Sequence, residues 1–540
     1  MLVRIGLLTD GGYPYATGES RLWCDRLVRG LAHHEFDVYA LSRSAAQEER
    51  GWVALPPQVR EVRTAPLWAP ADDGRSLGRR DRRAFAALLR ELLDGDFATG
   101  LYGLAELGRE RGGLRAALRS EPAVRVMEAA CRAPGAPRAV RGATVPDHLV
   151  FADRLERALR PLSLDWYGAG DAAGEGLGGV DLCHAAGGGS AALPGLLAKR
   201  FFGVPLLVTE YGVRVRAHYL SAAGEPGPLR GMLAGFQRRL AAEVYAAADL
   251  VTPGNAHARR WQERCGADRA KLRTVYPGMP AERFATVGES GDGGDPDTLV
   301  WVGRIEPAKD LIALLHAFAE VRAEAPGARL RIIGAPAHGP GSATYLAHCR
   351  ALAERLFPAE AAGPHAVGED PVSFEAIGDP EVPDAADAYA AGGVVVLSSV
   401  VEGFPISLVE AMLCGRATVS TDVGAVVEVI GGTGLVVPPR NPRALADSCL
   451  ALLRDPERRE RLGAAARARA LELFTVEQNT AAFRAIYLEL MSRSPVRREA
   501  LDDDGTPLPF ATPPEAHVAG RWTAADAPRR SAATATGARA

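Results

Sequence analysis

The chain has 540 residues, of which 47% are hydrophobic and 24% charged, a composition typical of a soluble globular protein. Its 63 lysines and arginines nearly balance 66 aspartates and glutamates, which excludes a chain built to bind nucleic acid or an anionic membrane through bulk charge. No stretch approaches about 18 uninterrupted apolar residues, so we expect no transmembrane helix. Seven scattered cysteines without a C-x-x-C pair argue against a disulfide framework or a zinc ribbon and favour a cytoplasmic protein.

The first predicted elements form a β–loop–α–β unit. Residues 3–9 are a continuous apolar run that ends in a glycine-rich loop; a helical pattern follows from Ser20, and residues 36–42 form a second strand. This order is typical of a doubly wound α/β domain. Residues 70–165 then carry arginine-rich helical patterns. Because the arginines alternate with acidic and apolar residues, we interpret this stretch as a helical insertion with solvated faces.

Strand and helix patterns resume after the insertion and complete an N-terminal domain over residues 1–287, followed by a Gly-, Asp- and Pro-rich linker. A second alternating series predicts a C-terminal domain over residues 298–475. A helical pattern at 476–491 could return to the first domain, and 492–540 is predicted to be a disordered tail. The predicted fold class is therefore α/β, with two Rossmann-like doubly wound domains facing across a cleft.

The strongest motif is the segment 398–415, SSVVEGFPISLVEAMLCG, which joins an apolar strand to a helix. Ligands of open α/β sheets bind beyond the carboxyl ends of the strands, where this loop must lie. The helix start offers unpaired N–H groups and a positive dipole end, which suit a phosphate or sugar hydroxyls. Gly403 permits close approach to the backbone, and Pro405 presets φ where the helix begins. Glu402 and Glu410 can face the same crevice, although either alone is more often an ordinary solvated acid.

A second motif, WVGRIEPAKD, places Arg304 and Lys309 five residues apart around a strand-to-helix turn. Two cations there can neutralise a leaving diphosphate without a metal ion. The simpler interpretation is two solvated side chains, but a cation near a helix N-terminus opposes the dipole and so favours an anionic partner. Lys309 is one of only three lysines in the chain, which makes its position informative.

Polar residues also follow strands of the first domain. The loop at 9–20, which contains Gly18, could cradle a phosphate or admit an acceptor, but it lacks the G-x-G-x-x-G fingerprint of a nicotinamide dinucleotide site. His184 and Glu210 each follow an apolar strand, so we expect both to point into the interdomain cleft. A lone histidine at a strand end is, however, more often a structural hydrogen-bonding residue.

The combined pattern at 402–410 resembles the E-x7-E motif of the retaining family-4 glycosyltransferases, which have the two-domain GT-B fold, and the resemblance covers most of the chain up to residue 490. It implies that Glu402 lies beside the donor sugar, that Glu410 binds the ribose hydroxyls, and that G-R-x4-K is the diphosphate clamp of Arg304 and Lys309. The further donor contacts that the resemblance implies are Gly403, Phe404, Pro405, Ile406, Ser407 and Gly18.

The same resemblance implies roles for three more residues. The family commonly has a cleft histidine where His184 lies, so His184 would contact the donor sugar as part of the catalytic set. Glu210 would help to place the donor or the acceptor, within a segment in which Tyr211 replaces the family's usual histidine. Asp422 would shape the donor pocket.

The opening of the chain and the segment TEYGVRVR are most similar to the Pel-type exopolysaccharide glycosyltransferases, which use UDP-glucose. This resemblance implies retaining transfer of a hexose, glucose, from a nucleotide-sugar to a saccharide acceptor, without a cofactor. The absence of a D-x-D motif at a strand end adds the expectation that no metal ion is required. The resemblance to the Pel-type enzymes also leaves open a peripheral association of the chain with a polysaccharide-export complex.

Two other functions remain open at this point. The chain could be a catalytically idle GT-B scaffold in a polysaccharide-assembly complex. The joint presence of both glutamates and both clamp cations argues against this interpretation, whereas the altered glycine loop and Tyr211 keep it open. The second open function is that of a phosphorylase or a sugar-phosphate synthase with the same GT-B fold. No lysine is, however, placed to form a Schiff base with pyridoxal phosphate.

Overall fold

The computed structural model describes seven stretches of the chain, namely 3–18, 20–69, 74–167, 176–221, 224–337, 341–358 and 370–494. The tail predicted to be disordered lies outside the described residues, except for 492–494. None of the helices in these stretches is long and apolar enough to cross a membrane.

The first domain is built on a six-stranded parallel sheet in the order β3-β2-β1-β4-β5-β6. The central strands are buried on both faces, which explains why they read as continuous apolar runs. The strands are β1 (Arg4–Asp10), β2 (Glu35–Ser42), β3 (Val59–Pro66), β4 (Leu182–Ala185), β5 (Leu206–Glu210) and β6 (Leu250–Pro253).

Five of the described helices, α3 to α7, lie between β3 and β4, in the region predicted to be a helical insertion. Leu89, Leu101 and Leu155 on these helices share one hydrophobic core with Leu8 and Tyr39 of the sheet. The insertion is therefore packed onto the domain. The helices up to the linker are α1 (Arg21–Gly30), α2 (Ala45–Glu49), α3 (Arg79–Leu93), α4 (Phe97–Arg111), α5 (Leu114–Leu118), α6 (Glu121–Arg132), α7 (Val145–Leu159), α8 (Ala192–Phe202), α9 (Arg214–Ser221), α10 (Gly227–Ala247), α11 (Ala256–Arg264) and α12 (Ala285–Glu289).

The second domain repeats this topology in the order β12-β11-β10-β7-β8-β9, again all parallel. Separate hydrophobic cores fill its two faces, so the predicted pair of doubly wound α/β domains is confirmed. The strands are β7 (Thr298–Val302), β8 (Arg329–Ile333), β9 (Val372–Glu375), β10 (Val394–Leu397), β11 (Ala417–Thr421) and β12 (Leu435–Val437). The helices are α13 (Leu311–Glu324), α14 (Ser342–Leu356), α15 (Ala385–Ala390), α16 (Ile406–Leu413), α17 (Val426–Ile430), α18 (Pro442–Leu453) and α19 (Pro456–Leu473).

The last described helix, α20 (Val476–Arg493), crosses back and packs on the first domain. Its residues Phe483, Ile486 and Tyr487 are fully buried in the same core as Ile5 and Leu7 of β1. A parallel β-bridge between Met279 and Thr475 fixes the position of the chain directly before α20. The final helix therefore links the two domains a second time.

Polar contacts also join the domains along the cleft. Glu428 on α17 accepts a hydrogen bond from the backbone N–H of Ala256, at the start of α11 (2.7 Å), and another from the Tyr276 hydroxyl (2.9 Å). Next to these contacts, Arg26 on α1 donates to the carbonyl of Gly278 (2.7 Å), which holds the end of the first domain against α1. These contacts place the carboxyl ends of the two sheets opposite each other.

We expect docking of α20 to contribute strongly to stability. Leu490 is 2% exposed in the first-domain core, whereas Leu488 on the same helix is 54% exposed. Leu490→Ala should lower the free energy of unfolding by about 2–5 kcal/mol, because it removes buried methyl groups and leaves a cavity. Leu488→Ala, the same chemical change at an exposed position, should alter it by no more than about 0.5 kcal/mol. Equilibrium urea unfolding measures both, and equal effects would contradict the described docking.

Candidate functional site

The candidate site lies at the switch point of the second sheet, between β7 and β10. From these adjacent strands the chain winds outward in opposite directions, which leaves a crevice beyond their carboxyl ends. The loop after β7 carries Arg304 and Lys309, and the loop after β10 carries Glu402. Two motifs that are far apart in the sequence therefore meet at one place.

An ion pair between Lys309 and Glu402 is the centre of this site. The Lys309 ammonium donates to Oε1 of Glu402, and the same oxygen accepts from the Ser399 hydroxyl (2.8 Å). Both side chains are largely buried, with 16% of Lys309 and 9% of Glu402 exposed. The loops are also joined through the backbone, since the Ser398 hydroxyl donates to the Lys309 carbonyl (2.7 Å). The structure thus brings the predicted sugar contact and one predicted clamp cation into direct contact.

Arg304, the other predicted clamp residue, extends into solvent. Its side chain is 74% exposed, and one guanidinium nitrogen lies 3.9 Å from Glu306. Lys309 is instead held in a short 3₁₀ turn, Pro307–Lys309, directly before α13. Asp310 caps that helix by accepting from the N–H of Ala313 (3.3 Å). One cation of the pair is therefore preorganised and the other is free to move.

The predicted backbone contacts surround the start of α16. A Cβ atom added to Gly403 would meet nothing within 4 Å, so this backbone is open to a ligand. Phe404 packs on Tyr276 and Phe474, with ring centroids 6.3 and 5.8 Å apart. The cap residue Pro405 is buried, Ile406 is exposed and Ser407 is half-buried.

A glycine in the loop after β11 fixes the position of this segment. Gly424 has a φ of +61°, and an added Cβ would lie 2.6 Å from the Glu402 carbonyl oxygen, so only glycine fits. Ala425 then donates its N–H to the Gly403 carbonyl (3.1 Å). Asp422 lies exposed at the end of β11, next to this loop.

Glu410 lies on α16, largely buried. Its Oε2 accepts from the Tyr389 hydroxyl (2.8 Å). Burial raises the pKa of this carboxyl, while the nearby guanidinium groups of Arg283 and Arg26 act in the opposite direction. Arg26 comes from α1 of the first domain, so a positive charge from across the cleft acts on Glu410. Its role in binding ribose stays a prediction.

His184, in contrast, lies inside the first domain. The ring is completely buried, with Nδ1 2.7 Å from the Tyr487 hydroxyl and Nε2 2.7 Å from the Thr209 hydroxyl. Trp23 and Phe483 pack against it. Burial lowers the pKa of the imidazole to about 3, so the ring is neutral. The expectation that His184 points into the cleft is wrong, because α20 covers the end of β4; its contact with a donor stays a prediction.

Glu210 is also enclosed. Its carboxylate accepts from the Tyr245 hydroxyl, from the Gln262 amide (3.3 Å) and from the backbone N–H of Arg214 (2.9 Å). Burial raises the pKa of this carboxyl, and the three donors partly compensate. The expectation that Glu210 faces the cleft is wrong as well, because α10 and α11 cover it. In this arrangement Glu210 anchors the start of α9.

Gly18 lies exposed in the glycine-rich loop with a φ of +126°. A side chain there would collide with the carbonyl of Gly11, so the loop folds closely on itself at this point. This close approach explains the glycine without a ligand, and a donor contact by Gly18 stays a prediction.

The sequence analysis missed Arg216. It lies in the first turn of α9 and donates from Nη2 to the Glu402 carbonyl across the cleft (2.8 Å). A basic residue in the first turn of a helix opposes the dipole, the same signal that singled out Lys309. The segment TEYGVRVR contains this signal. Glu402, the partner of Arg216, is 186 residues away in the sequence, so the contact could not be predicted from the segment alone.

A metal site was not expected, and metal independence stays a prediction. In the described part of the chain, no group of three or more His, Cys, Asp or Glu side chains is arranged to hold a metal ion.

Comparison with known families divides the chain as the fold does. Residues 296–455 match the family described as glycosyl transferases group 1. Residues 3–98 and 172–270 match a domain of unknown function, DUF3492, and the gap between them contains most of the inserted helices.

Two solved structures show the same fold. HepE of Anabaena, in complex with UDP, is 15% identical with a TM-score of 0.54, covering 90% of this chain and 100% of HepE. Sucrose-phosphate synthase of Thermosynechococcus elongatus is 17% identical with a TM-score of 0.53, covering 91% and 99%. At these identities the likeness concerns the GT-B fold alone, and that predicted fold is confirmed.

Curated relatives are closer in sequence. The D-inositol 3-phosphate glycosyltransferase of Kribbella flavida is 32% identical over 50% of this chain, which spans 63% of that relative's length. The protein of the same name from Thermobispora bispora is 30% identical over 55% of this chain and 68% of its own length. Since this 30% identity extends over more than two thirds of a relative that is itself a glycosyltransferase, and residues 296–455 match the family model, the chain belongs to the glycosyl transferases of group 1.

Proposed function

We propose that this protein is a retaining, metal-independent glycosyltransferase that moves a hexose from a nucleotide-sugar to a saccharide acceptor in exopolysaccharide or glycoconjugate synthesis. Glucose from UDP-glucose is the first donor to test, on the resemblance to the Pel-type enzymes. The observation that carries the proposal is the contact between Lys309 and Glu402 at the switch point. It joins a cation suited to a diphosphate with a carboxylate suited to sugar hydroxyls.

The proposed donor site uses the groups around this ion pair. The diphosphate would take Lys309 and draw in the mobile Arg304, because charge-assisted hydrogen bonds to phosphate are strong. The open backbone at Gly403 and the start of α16 would face the sugar and its phosphate. Glu402, released from Lys309, would then accept hydrogen bonds from sugar hydroxyls, and Glu410 would bind the ribose.

Retention is proposed to proceed by front-face displacement. The bond between the anomeric carbon and the phosphate oxygen breaks, and the acceptor oxygen bonds to the same face of that carbon. The acceptor proton passes to the departing phosphate oxygen, so no separate base is required. The enclosure of His184 and Glu210 supports this route, because neither side chain is free to attack the anomeric carbon.

The acceptor is proposed to enter from the first domain, where the inserted helices and the glycine-rich loop lie. The curated relatives carry the name of one acceptor, D-inositol 3-phosphate, which therefore belongs in any acceptor panel beside neutral glucans. A cytoplasmic location and a peripheral association with a polysaccharide-export complex complete the proposal.

Isothermal titration with UDP-, GDP- and ADP-sugars and with the corresponding free diphosphates tests the function directly. We expect one nucleoside diphosphate and its sugar derivative to bind in the micromolar range. Binding of none of them would overturn the proposed function and favour the idle scaffold.

Lys309→Ala should weaken binding of the free nucleoside diphosphate about 10- to 100-fold. The substitution removes a hydrogen bond between charged groups, which contributes about 1.5–3 kcal/mol, and 1.4 kcal/mol corresponds to a factor of ten. Binding of the nucleoside without phosphates should not change. Lys271→Ala is the matched control, because Lys271 donates to the carbonyl of Ala246 far from the site. Unchanged diphosphate affinity in Lys309→Ala would contradict the clamp.

The product formed from an α-linked nucleotide-sugar should keep the α configuration. Proton NMR of the anomeric signal during early turnover measures this outcome, and a β-linked first product would contradict front-face displacement. Turnover should also survive excess EDTA, since the proposed site neutralises the leaving group with arginine and lysine. Loss of turnover in EDTA that returns with Mg²⁺ or Mn²⁺ would contradict metal independence.

A further inference from the structure

Arg216 is a half-buried cation that lacks an ion pair in the described part of the chain. Its guanidinium makes one hydrogen bond, to the neutral carbonyl of Glu402. Burial of this kind is costly for a charged group unless an anion compensates, and burial does lower the pKa of Arg216. Among the described residues, the charge of Glu402 partly offsets this cost, although the direct contact of the guanidinium is with the carbonyl oxygen of that residue.

The neighbouring arginine on the same helix shows the contrast. Arg214 is ion-paired with Asp10 at the end of β1 (3.1 Å), and its backbone N–H is held by the buried Glu210. Glu210 thereby fixes the first turn of α9 and the direction in which Arg216 extends. Arg216 thus extends from a helix start that Glu210 and Asp10 anchor, and its guanidinium forms no ion pair among the described residues but donates to a carbonyl oxygen.

Arg216 lies next to the residues of the proposed donor site, because it contacts Glu402. Lys309, from the second domain, contacts the carboxylate of Glu402, and Arg216, from the first domain, contacts the carbonyl of the same residue. Two cations from opposite domains therefore lie on either side of the residue that the proposed function assigns to the sugar. His257 on α11 lies close to this charge, because burial and then the charge of Arg216 lower its pKa, which favours the neutral ring.

The geometry points to Arg216 as the third cation of the diphosphate site, contributed by the first domain. When a donor is bound, its guanidinium turns from the Glu402 carbonyl to the phosphate oxygens. This inference rests on the proposed function and deepens it, since it names a residue that the E-x7-E and G-R-x4-K motifs do not contain.

Charge balance explains why a third cation is useful. The diphosphate of an intact nucleotide-sugar carries about two negative charges, which Arg304 and Lys309 can offset. While the bond to the sugar breaks, and before the acceptor proton reaches the departing oxygen, the diphosphate gains up to about one more charge. A cation close to this additional charge stabilises the transition state more than it stabilises the bound donor. This difference is what accelerates the reaction.

The test compares Arg216→Gln and Arg216→Lys with the unaltered protein by isothermal titration of UDP, UDP-glucose and uridine. If the donor panel identifies another base, the corresponding three ligands replace them. Arg216→Gln should bind UDP about tenfold more weakly, lose less affinity for UDP-glucose and bind uridine unchanged. Arg216→Lys should retain most of the UDP affinity, because it keeps the charge.

A purely structural role predicts the opposite pattern. If Arg216 only holds the Glu402 loop, Arg216→Gln should weaken UDP-glucose more than UDP, because that loop faces the sugar. That result, or unchanged UDP affinity, overturns the inference. Arg269→Gln is the matched control, an exposed arginine that pairs with Glu263 of α11, and it should leave all three affinities unchanged.

The two proposals fail in different ways. If the unaltered protein binds no nucleoside diphosphate, the proposed function is overturned and this inference falls with it. If the protein binds UDP and Lys309→Ala weakens that binding while Arg216→Gln does not, only this inference is overturned. Thermal unfolding of each variant separates lost binding from lost folding, and Arg216→Lys gives a second, conservative variant.

Discussion

The site depends on one ion pair, between Lys309 and Glu402, which joins loops that are 93 residues apart in the sequence. The parallel sheet makes the contact possible, because β7 and β10 are neighbours whose carboxyl ends open onto the same crevice. Without a donor, each charge compensates the other in a largely buried position, where an unpaired charge would be costly. Under the proposed function, a diphosphate that takes Lys309 would also release Glu402, so the groups for phosphate and for sugar would become available together.

The second constraint is the return of α20 to the first domain. It places Phe483 and Tyr487 against His184, seals the end of β4, and ties the two domains together beside the point where Met279 meets Thr475. The two chain segments that link the domains therefore lie side by side at this crossing. The same helix explains why a histidine at the end of a strand is buried, since it fills the space beyond that strand.

These two constraints show what could be predicted from the sequence and what could not. The two doubly wound α/β domains, the loop around Glu402 and the turn at Lys309 depend on local patterns and on the rule that ligands bind beyond parallel strands, so they could be predicted. The environments of His184 and Glu210 depend on Tyr487 and Tyr245, which lie 303 and 35 residues away and which no local pattern connects to them. Burial by a distant helix is a tertiary property, and it decided both wrong expectations.

The distribution of cations between the domains connects these features. Lys309 is fixed, Arg304 is mobile, and Arg216 reaches the site only because the first domain is close. Electrostatic stabilisation is strongest where water is excluded, which requires the domains to be together. Under the proposed function, a charge contributed across the cleft would make stabilisation of the leaving group depend on both domains. The two cations of the second domain alone would bind the donor but would leave the additional charge of the transition state less stabilised. Because the acceptor is proposed to enter from the first domain, the domain that admits the acceptor would also supply the cation that promotes breaking of the bond to the sugar.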